Sequence, residues 1–247
     1  MKSAAVIIGA SSGLGKSLAE ELASKGNSLV LAARHERDLS VLAADLSIRY
    51  NVSVNWLVVD LGKINEEEAG FFTKKCFDFF ETIDAVYITA AMIHDGDNGI
   101  ESVVKLSEIT AVNYRGIAYL VADFCKRLSG KKATISIMSS IAAIRPRGNN
   151  IAYSASKAAL EYFIKGLQHF YSNDLLKLQI YRLGYMDTGM SHGKKLLFPK
   201  AAPKRVANYI LSRKNKRLRL AYYPHFWGII ALLLKSMPWF MYKRIKF

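Results

Sequence analysis

Tyr153 and Lys157 stand four residues apart in Tyr153-Ser154-Ala155-Ser156-Lys157, a spacing that sets both side chains on one face of a helix, one turn apart. A phenol beside an ammonium is a proton donor. The positive charge favours phenolate and lowers the tyrosine pKa from about 10 toward neutrality, where proton exchange with an alcohol oxygen is efficient. The pair alone does not make a site, because Tyr-x-x-x-Lys also arises by chance on exposed helices. It needs a cofactor and a second donor at the carbonyl oxygen.

The N-terminal segment predicts the cofactor. Ala4 to Ile8 is a short apolar run suited to a buried parallel strand, and Gly9-Ala10-Ser11-Ser12-Gly13-Leu14-Gly15 follows it and opens a helix through Lys25. Backbone N–H groups of such a turn and the positive end of the helix dipole hold a pyrophosphate, and glycine lets the backbone approach it. The second strand, Ser28 to Ala32, runs into Ala33-Arg34-His35. An acidic residue there would hold a ribose 2′-hydroxyl, whereas Arg34 suits a 2′-phosphate, so NADPH is favoured over NADH. A solvated Arg34 paired with Glu36 or Asp38 is the alternative. After the third strand, Ser53 to Val59, Asp60-Leu61 falls where an adenine-contacting loop would lie, and Asp60 could equally cap the next turn.

With these residues in place the chain resembles the short-chain dehydrogenase/reductase family from Val6 to about Met190. The resemblance is carried by Gly9, Gly13 and Gly15, by Asp60, by Asn113 in Asn113-Tyr114-Arg115-Gly116, by Ser140, by Tyr153 and Lys157, and by Leu183 to Met190. It implies a catalytic set of Asn113, Ser140, Tyr153 and Lys157. In that set Tyr153 exchanges the proton, Ser140 bonds the same oxygen, and Lys157 holds the nicotinamide ribose. Asn113 positions Lys157 through a water. Ser140 is preferred to Ser139 by its distance before the tyrosine. The resemblance also implies cofactor contacts from Ser11, Ser12, Leu14, Leu61, Ala90, Tyr153, Lys157, Gly184 and Thr188. Two positions depart from the family pattern. Thr89-Ala90-Ala91-Met92 replaces the usual Asn-Ala-Gly turn, so the end of the fourth strand must close differently, and Leu183 replaces the usual proline before Gly184.

Strands alternating with helical patterns over 247 residues predict a single α/β domain, a doubly wound Rossmann-type parallel sheet of about seven strands. Helices are expected after Gly13, Glu36, Glu66, Asn113 and Tyr153. Cys76 and Cys125 lack metal-ligand or redox spacing and are expected as buried free thiols in a reducing cytoplasm. Met1 to Ser3 leads directly into the first strand, which leaves no room for a signal peptide.

Charge sets the chain apart. The net charge is +15, and no Asp or Glu follows Asp187 while Lys and Arg continue to Lys246. The catalytic domain is expected over 1–221, and a basic, aromatic extension over 222–247. Phe226 to Leu234 and Met237 to Tyr242 are apolar, but Lys235 and Pro238 interrupt them, so the stretch is too short to span a bilayer. Apolar and aromatic residues flanked by cations suit an interfacial helix on an anionic membrane surface. A buried helix in a homo-oligomer is the competing expectation. Nucleic acid is excluded as a partner, because phosphate binding has no use for so apolar a run.

Arg145 and Arg147, between Ser140 and Tyr153, and Lys194 beyond Met190 are candidate substrate-binding cations for a phosphate or other anion. With the extension, these residues make the chain most similar, within the family, to the ketoreductases of decaprenylphosphoryl-ribose epimerisation. That similarity implies reduction of a ketone to a secondary alcohol on a lipid-linked substrate, at the cytoplasmic face of a membrane. Two alternatives stay open: a reductase of a soluble, acyl, steroid or sphingoid ketone with the extension used in oligomerisation, and an NADP-binding sensor or scaffold.

Overall fold

The apolar run Ala4–Ile8 forms β1, buried along its whole length because it lies inside a seven-stranded sheet with helices on both faces. The structure, a computed structural model, describes residues 4–94, 103–146, 148, 150–171, 175–189 and 198–244. The strands β2 (Ser28–Ala33), β3 (Val54–Val58), β4 (Ile83–Ile88), β5 (Ala133–Ser140), β6 (Leu176–Leu183) and β7 (Leu220–Tyr223) complete the sheet in the order β3-β2-β1-β4-β5-β6-β7. Every pairing is parallel. The chain builds outward from β1 to β3 and then returns to place β4 on the other side of β1. That reversal opens a crevice at the carboxyl ends of β1 and β4, where a doubly wound sheet binds its ligand.

Side-chain alternation along β1 sends Ala4, Val6 and Ile8 into one core and Ala5 and Ile7 into the other. The first core is roofed by α3 (Glu66–Phe79), α5 (Gly116–Leu128) and α6 (Ile151–Phe170), the second by α1 (Gly13–Ser24), α2 (Glu36–Tyr50) and α7 (Pro203–Leu211). Cys76 on α3 and Cys125 on α5 are buried free thiols in the first core. Burial pushes the Cys125 thiol up to about 12, which leaves it an unreactive apolar filler.

Two expected boundaries shift. Asn113 does not precede a helix; it sits within an unbroken helical run made of α4 (Val103–Thr110), a π-helical turn (Ala111–Arg115) and α5. A division at 221/222 would cut β7, which pairs with β6 through Tyr223, so the C-terminal segment leaves the sheet two residues later than expected. That segment folds into α8 (Trp227–Ser236) and α9 (Trp239–Tyr242). Among the described residues, no helix is long and apolar enough to cross a membrane.

Candidate active site

The glycine turn is shaped by close approach. Gly9 has φ +92°, which L side chains rarely adopt, and a β-carbon there would lie 2.6 Å from the Ala90 amide nitrogen. At Gly15 the β-carbon would fall 2.0 Å from the Gly9 carbonyl oxygen. Ser12 is the N-cap of α1 and makes no side-chain cap, so the first amides of the helix face the crevice without an intrahelical partner. Thr89 explains how the chain dispenses with the usual Asn-Ala-Gly turn. Its hydroxyl donates to the carbonyls of Ile8 at 2.8 Å and Gly9 at 3.1 Å, tying the end of β4 under the glycine turn.

The Tyr153 and Lys157 side stands opposite. Helix α6 presents Tyr153 and Lys157 to the same cavity, of about 670 Å³, that the glycine turn lines. Lys157 is 2% exposed, and its Nζ donates to the Met138 carbonyl at 3.1 Å. Burial lowers its pKa to about 8, with the nearby Glu161 carboxylate opposing the drop. A folded pKa below the unfolded value means that the protonated form costs stability at pH 7, on the order of 3 kcal/mol, and the cost fades as pH rises from about 8 past the unfolded value near 10.4. Lys157→Met is therefore expected to raise the melting temperature of the unliganded protein at pH 7 but not at pH 10.5. Thermal melts at the two pH values check this, and a lower melting temperature at pH 7 would oppose it.

The two serines at the end of β5 separate by direction. Ser139 is buried and its hydroxyl donates to Glu161 Oε1 at 2.6 Å, whereas the Ser140 hydroxyl accepts from the Ala142 amide at 3.1 Å and caps the turn after the strand. Ser139 counts among the cavity-lining residues and Ser140 does not. The Ser139 hydroxyl is nonetheless committed to Glu161, while the Ser140 oxygen keeps its proton for a further bond. Asn113 is buried, with its amide spread over three bonds. Its Oδ1 accepts from the Met92 amide and its Nδ2 donates to the Met92 carbonyl, both at 2.7 Å, and Nδ2 also reaches Ser156 Oγ at 3.2 Å. The side chain thus ties the segment after β4 to α6, one residue from Lys157.

Of the residues singled out from sequence, Gly9, Ser11, Ser12, Gly13, Leu14, Gly15, Arg34, Leu61, Ala90, Tyr153, Lys157 and Thr188 line the one cavity. Arg34 is exposed at its rim, and among the described residues it forms no ion pair with Glu36 or Asp38. Asp60 does not line it; its Oδ1 accepts from the Gly62 amide at 2.9 Å and so shapes the loop that presents Leu61. Gly184 lies behind the wall, where a β-carbon would come 2.0 Å from Trp227 Nε1. Arg145 also lies away from the cavity. Its guanidinium stacks 4.8 Å from the centre of the Tyr242 ring, and Tyr242 in turn donates to the Pro146 carbonyl at 2.6 Å. Arg147 and Lys194 fall outside the described residues.

The structure adds residues that the sequence did not single out. Glu161 and Arg182 form a buried pair, with Arg182 Nε to Oε1 at 2.8 Å and Nη2 to Oε2 at 2.5 Å. Neither stands in a recognisable motif, and only a shared apolar setting, one turn past Lys157 and within an apolar strand, hinted that they are buried together. Trp227, noted only as part of an apolar run, is 3% exposed and packs edge-on against Tyr185 and Phe198. It fixes α8 to the end of β6.

The model of the short chain dehydrogenase family matches residues 3–196, and the chain belongs to this family of oxidoreductases. Among characterised relatives, it is 28% identical over 95% of its length to the human inactive hydroxysteroid dehydrogenase-like protein 1, spanning 72% of that protein. It is 28% identical over 81% of its length to the very-long-chain 3-oxoacyl-CoA reductase of Anas platyrhynchos, and over 76% to the 11-beta-hydroxysteroid dehydrogenase A of Sesamum indicum. The chain spans 64% and 54% of those two proteins. The fold is shared with a short-chain dehydrogenase from Sphingobium yanoikuyae in complex with NADPH, at TM-score 0.79 and 21% identity over 96% of this chain and 97% of that one. A short chain dehydrogenase from Burkholderia cenocepacia in complex with NADP gives TM-score 0.82 and 21% identity over 98% and 97%.

Proposed function

We propose that the protein is an NADPH-dependent reductase that converts a ketone into a secondary alcohol on an amphiphilic, lipid-linked substrate, working from the cytoplasmic face of a membrane. The observation that carries the chemistry is the single cavity whose one side is the glycine turn and Arg34 and whose other side is Tyr153 and Lys157. The tight glycine backbone and the open amides of α1 fit a pyrophosphate, and Arg34 at the rim fits a 2′-phosphate. When bound, NADPH supplies the hydride. Tyr153 gives its proton to the oxygen of the reduced carbonyl, and Ser140 donates a hydrogen bond to the same oxygen as negative charge develops on it. Lys157 holds the ribose and favours loss of the tyrosine proton. Asn113 keeps the segment around Met92 against α6 and so holds Lys157 in place.

The amphiphilic substrate is supported by the C-terminal helices. Trp227, Ala231, Leu234 and Tyr242 face inward, whereas Ile229, Leu232, Leu233, Trp239, Phe240 and Met241 are exposed. Lys235, Lys243 and Arg244 flank that apolar face, the arrangement of a helix lying in an anionic leaflet. Removing residues 225–247 is expected to abolish flotation with anionic liposomes and leave flotation with neutral liposomes low throughout. Unchanged binding of the truncated protein to anionic vesicles would reject docking through this segment. The same exposed face in a homo-oligomer would be buried against a second copy, and size measurement of the free protein separates the two.

A keto-sugar on a polyprenyl phosphate is the sharpest version of the substrate. Binding of its phosphate would rest on Arg145, which lies against the Tyr242 ring, and on Arg147 and Lys194. A 3-oxoacyl or steroid ketone is the second reading, favoured by relatives named for a very-long-chain 3-oxoacyl-CoA and for an 11-beta-hydroxysteroid. Incubating lipid extracts with the enzyme and NADPH, and searching by mass spectrometry for a gain of two hydrogens, identifies the ketone. A wild type that binds NADPH but reduces nothing in such extracts or in a broad carbonyl panel would favour a sensor or scaffold instead.

A further inference from the structure

We propose that Glu161, locked by Arg182 and Ser139, is the positioning residue that holds the Lys157 ammonium and the end of β5 in register for proton delivery. The assignment rests on the reductase function proposed above. A buried ion pair is a poor device for stability alone, since apolar residues of similar volume often serve as well or better. Glu161 lies one helical turn beyond Lys157 on α6, and both are nearly excluded from solvent, at 3% and 2% exposure.

The Glu161 carboxylate is bonded to β5 through Ser139 and to β6 through Arg182. Oε1 accepts from Ser139 Oγ at 2.6 Å as well as from Arg182 Nε. Ser139 separates Met138, whose carbonyl accepts from Lys157 Nζ, from Ser140. One carboxylate therefore fixes the strand residue between the acceptor that holds Lys157 and the serine assigned to the carbonyl oxygen. Arg182, on β6, is itself held by the Tyr222 hydroxyl on β7 at 2.5 Å from Nη1, so the carboxylate cannot turn away from Ser139 without breaking a chain that crosses three strands. Bidentate geometry adds to this rigidity.

The carboxylate also acts on Lys157 through its charge. Among the described residues, the titratable groups around Lys157 are Tyr153 and Glu161 on its own helix, with Arg182 beyond Glu161 on β6. The strand packed beneath it, β5, presents the Met138 carbonyl and Ser139, which carry no charge, and the neighbouring π-helical turn presents the neutral Asn113. Glu161 is thus the negative group that offsets burial and favours the protonated lysine. Lys165 at 3.8 Å from Oε2 is half exposed and adds little.

The test uses the unliganded full chain with 13C-labelled lysine side chains, the Lys157 signal being assigned by its loss in Lys157→Arg. Glu161→Gln keeps the shape and one acceptor but removes the charge. Its Lys157 titration midpoint is expected to fall by about one pH unit, and kcat for ketone reduction at pH 7.5 to fall at least about threefold with KM for the ketone little changed. A folded Glu161→Gln with the wild-type midpoint overturns the proposal and leaves a merely structural ion pair. Should Glu161→Gln fail to fold, Ser139→Ala removes only the hydroxyl link and is expected to lower kcat several-fold without changing KM. Wild-type kcat in that variant also overturns the proposal. The midpoint is read without turnover, so a shifted Lys157 in a protein that reduces no ketone defeats the reductase function and keeps the electrostatic role of Glu161.

Discussion

Tyr153→Phe is expected to cut NADPH-dependent ketone reduction by about 10²- to 10⁴-fold, the range that a positioned proton donor contributes. The ring still fills its place in the cavity wall, so NADPH affinity should stay within about twofold and the melting temperature should hardly move. The substitution removes the phenolic hydroxyl and keeps the ring. Steady-state rates paired with fluorescence titration of NADPH separate chemistry from binding. Reduction at the wild-type rate would remove Tyr153 from the proton-donor role and return the pair with Lys157 to an accident of spacing. Tight NADPH binding with no turnover is the signature expected if the proton donor, and not the cofactor site, has been removed.

Arg34→Glu should weaken NADPH binding by about 10- to 100-fold and leave NADH binding unchanged or better. A hydrogen bond to a charged group is worth about 1.5–3 kcal/mol, and each 1.4 kcal/mol is tenfold in affinity. The variant also puts a carboxylate where a 2′-phosphate would sit, and that carboxylate can accept from a ribose 2′-hydroxyl. Arg34 is exposed at the cavity rim and engages neither Glu36 nor Asp38 among the described residues, so the exchange carries little structural cost. Equal loss for both cofactors would sink the 2′-phosphate assignment.

The parts of the site that sequence exposed are those fixed by backbone chemistry within a few residues. A strand, a glycine turn and a helix start are local, and Gly9 and Gly15 had to be glycine because backbone passes within 2.0 to 2.6 Å of where their side chains would begin. Tyr153 and Lys157 are legible for the same reason, since helical spacing alone puts them on one face. Asn113 was found, but its π-helical setting and its grip on Met92 join segments 21 residues apart, and no local pattern encodes that. Arg145 was read from its charge and place in the chain, and its contact with a tyrosine ring 97 positions later lay beyond any local pattern.

By itself, then, the sequence determined the doubly wound α/β sheet, the glycine turn and the placing of Tyr153 and Lys157 on one helix face, because periodicity and short motifs act through neighbouring residues. Tertiary structure decided which way Ser139 and Ser140 point, how Thr89 replaces the missing asparagine turn, and what Trp227 and Tyr242 cover. It also brought Glu161 and Arg182 together beneath Lys157. These contacts depend on β5, β6, α6 and the C-terminal helices meeting in space. Burial then strengthens each charge and hydrogen bond by excluding water, and no stretch of sequence read alone contains that environment.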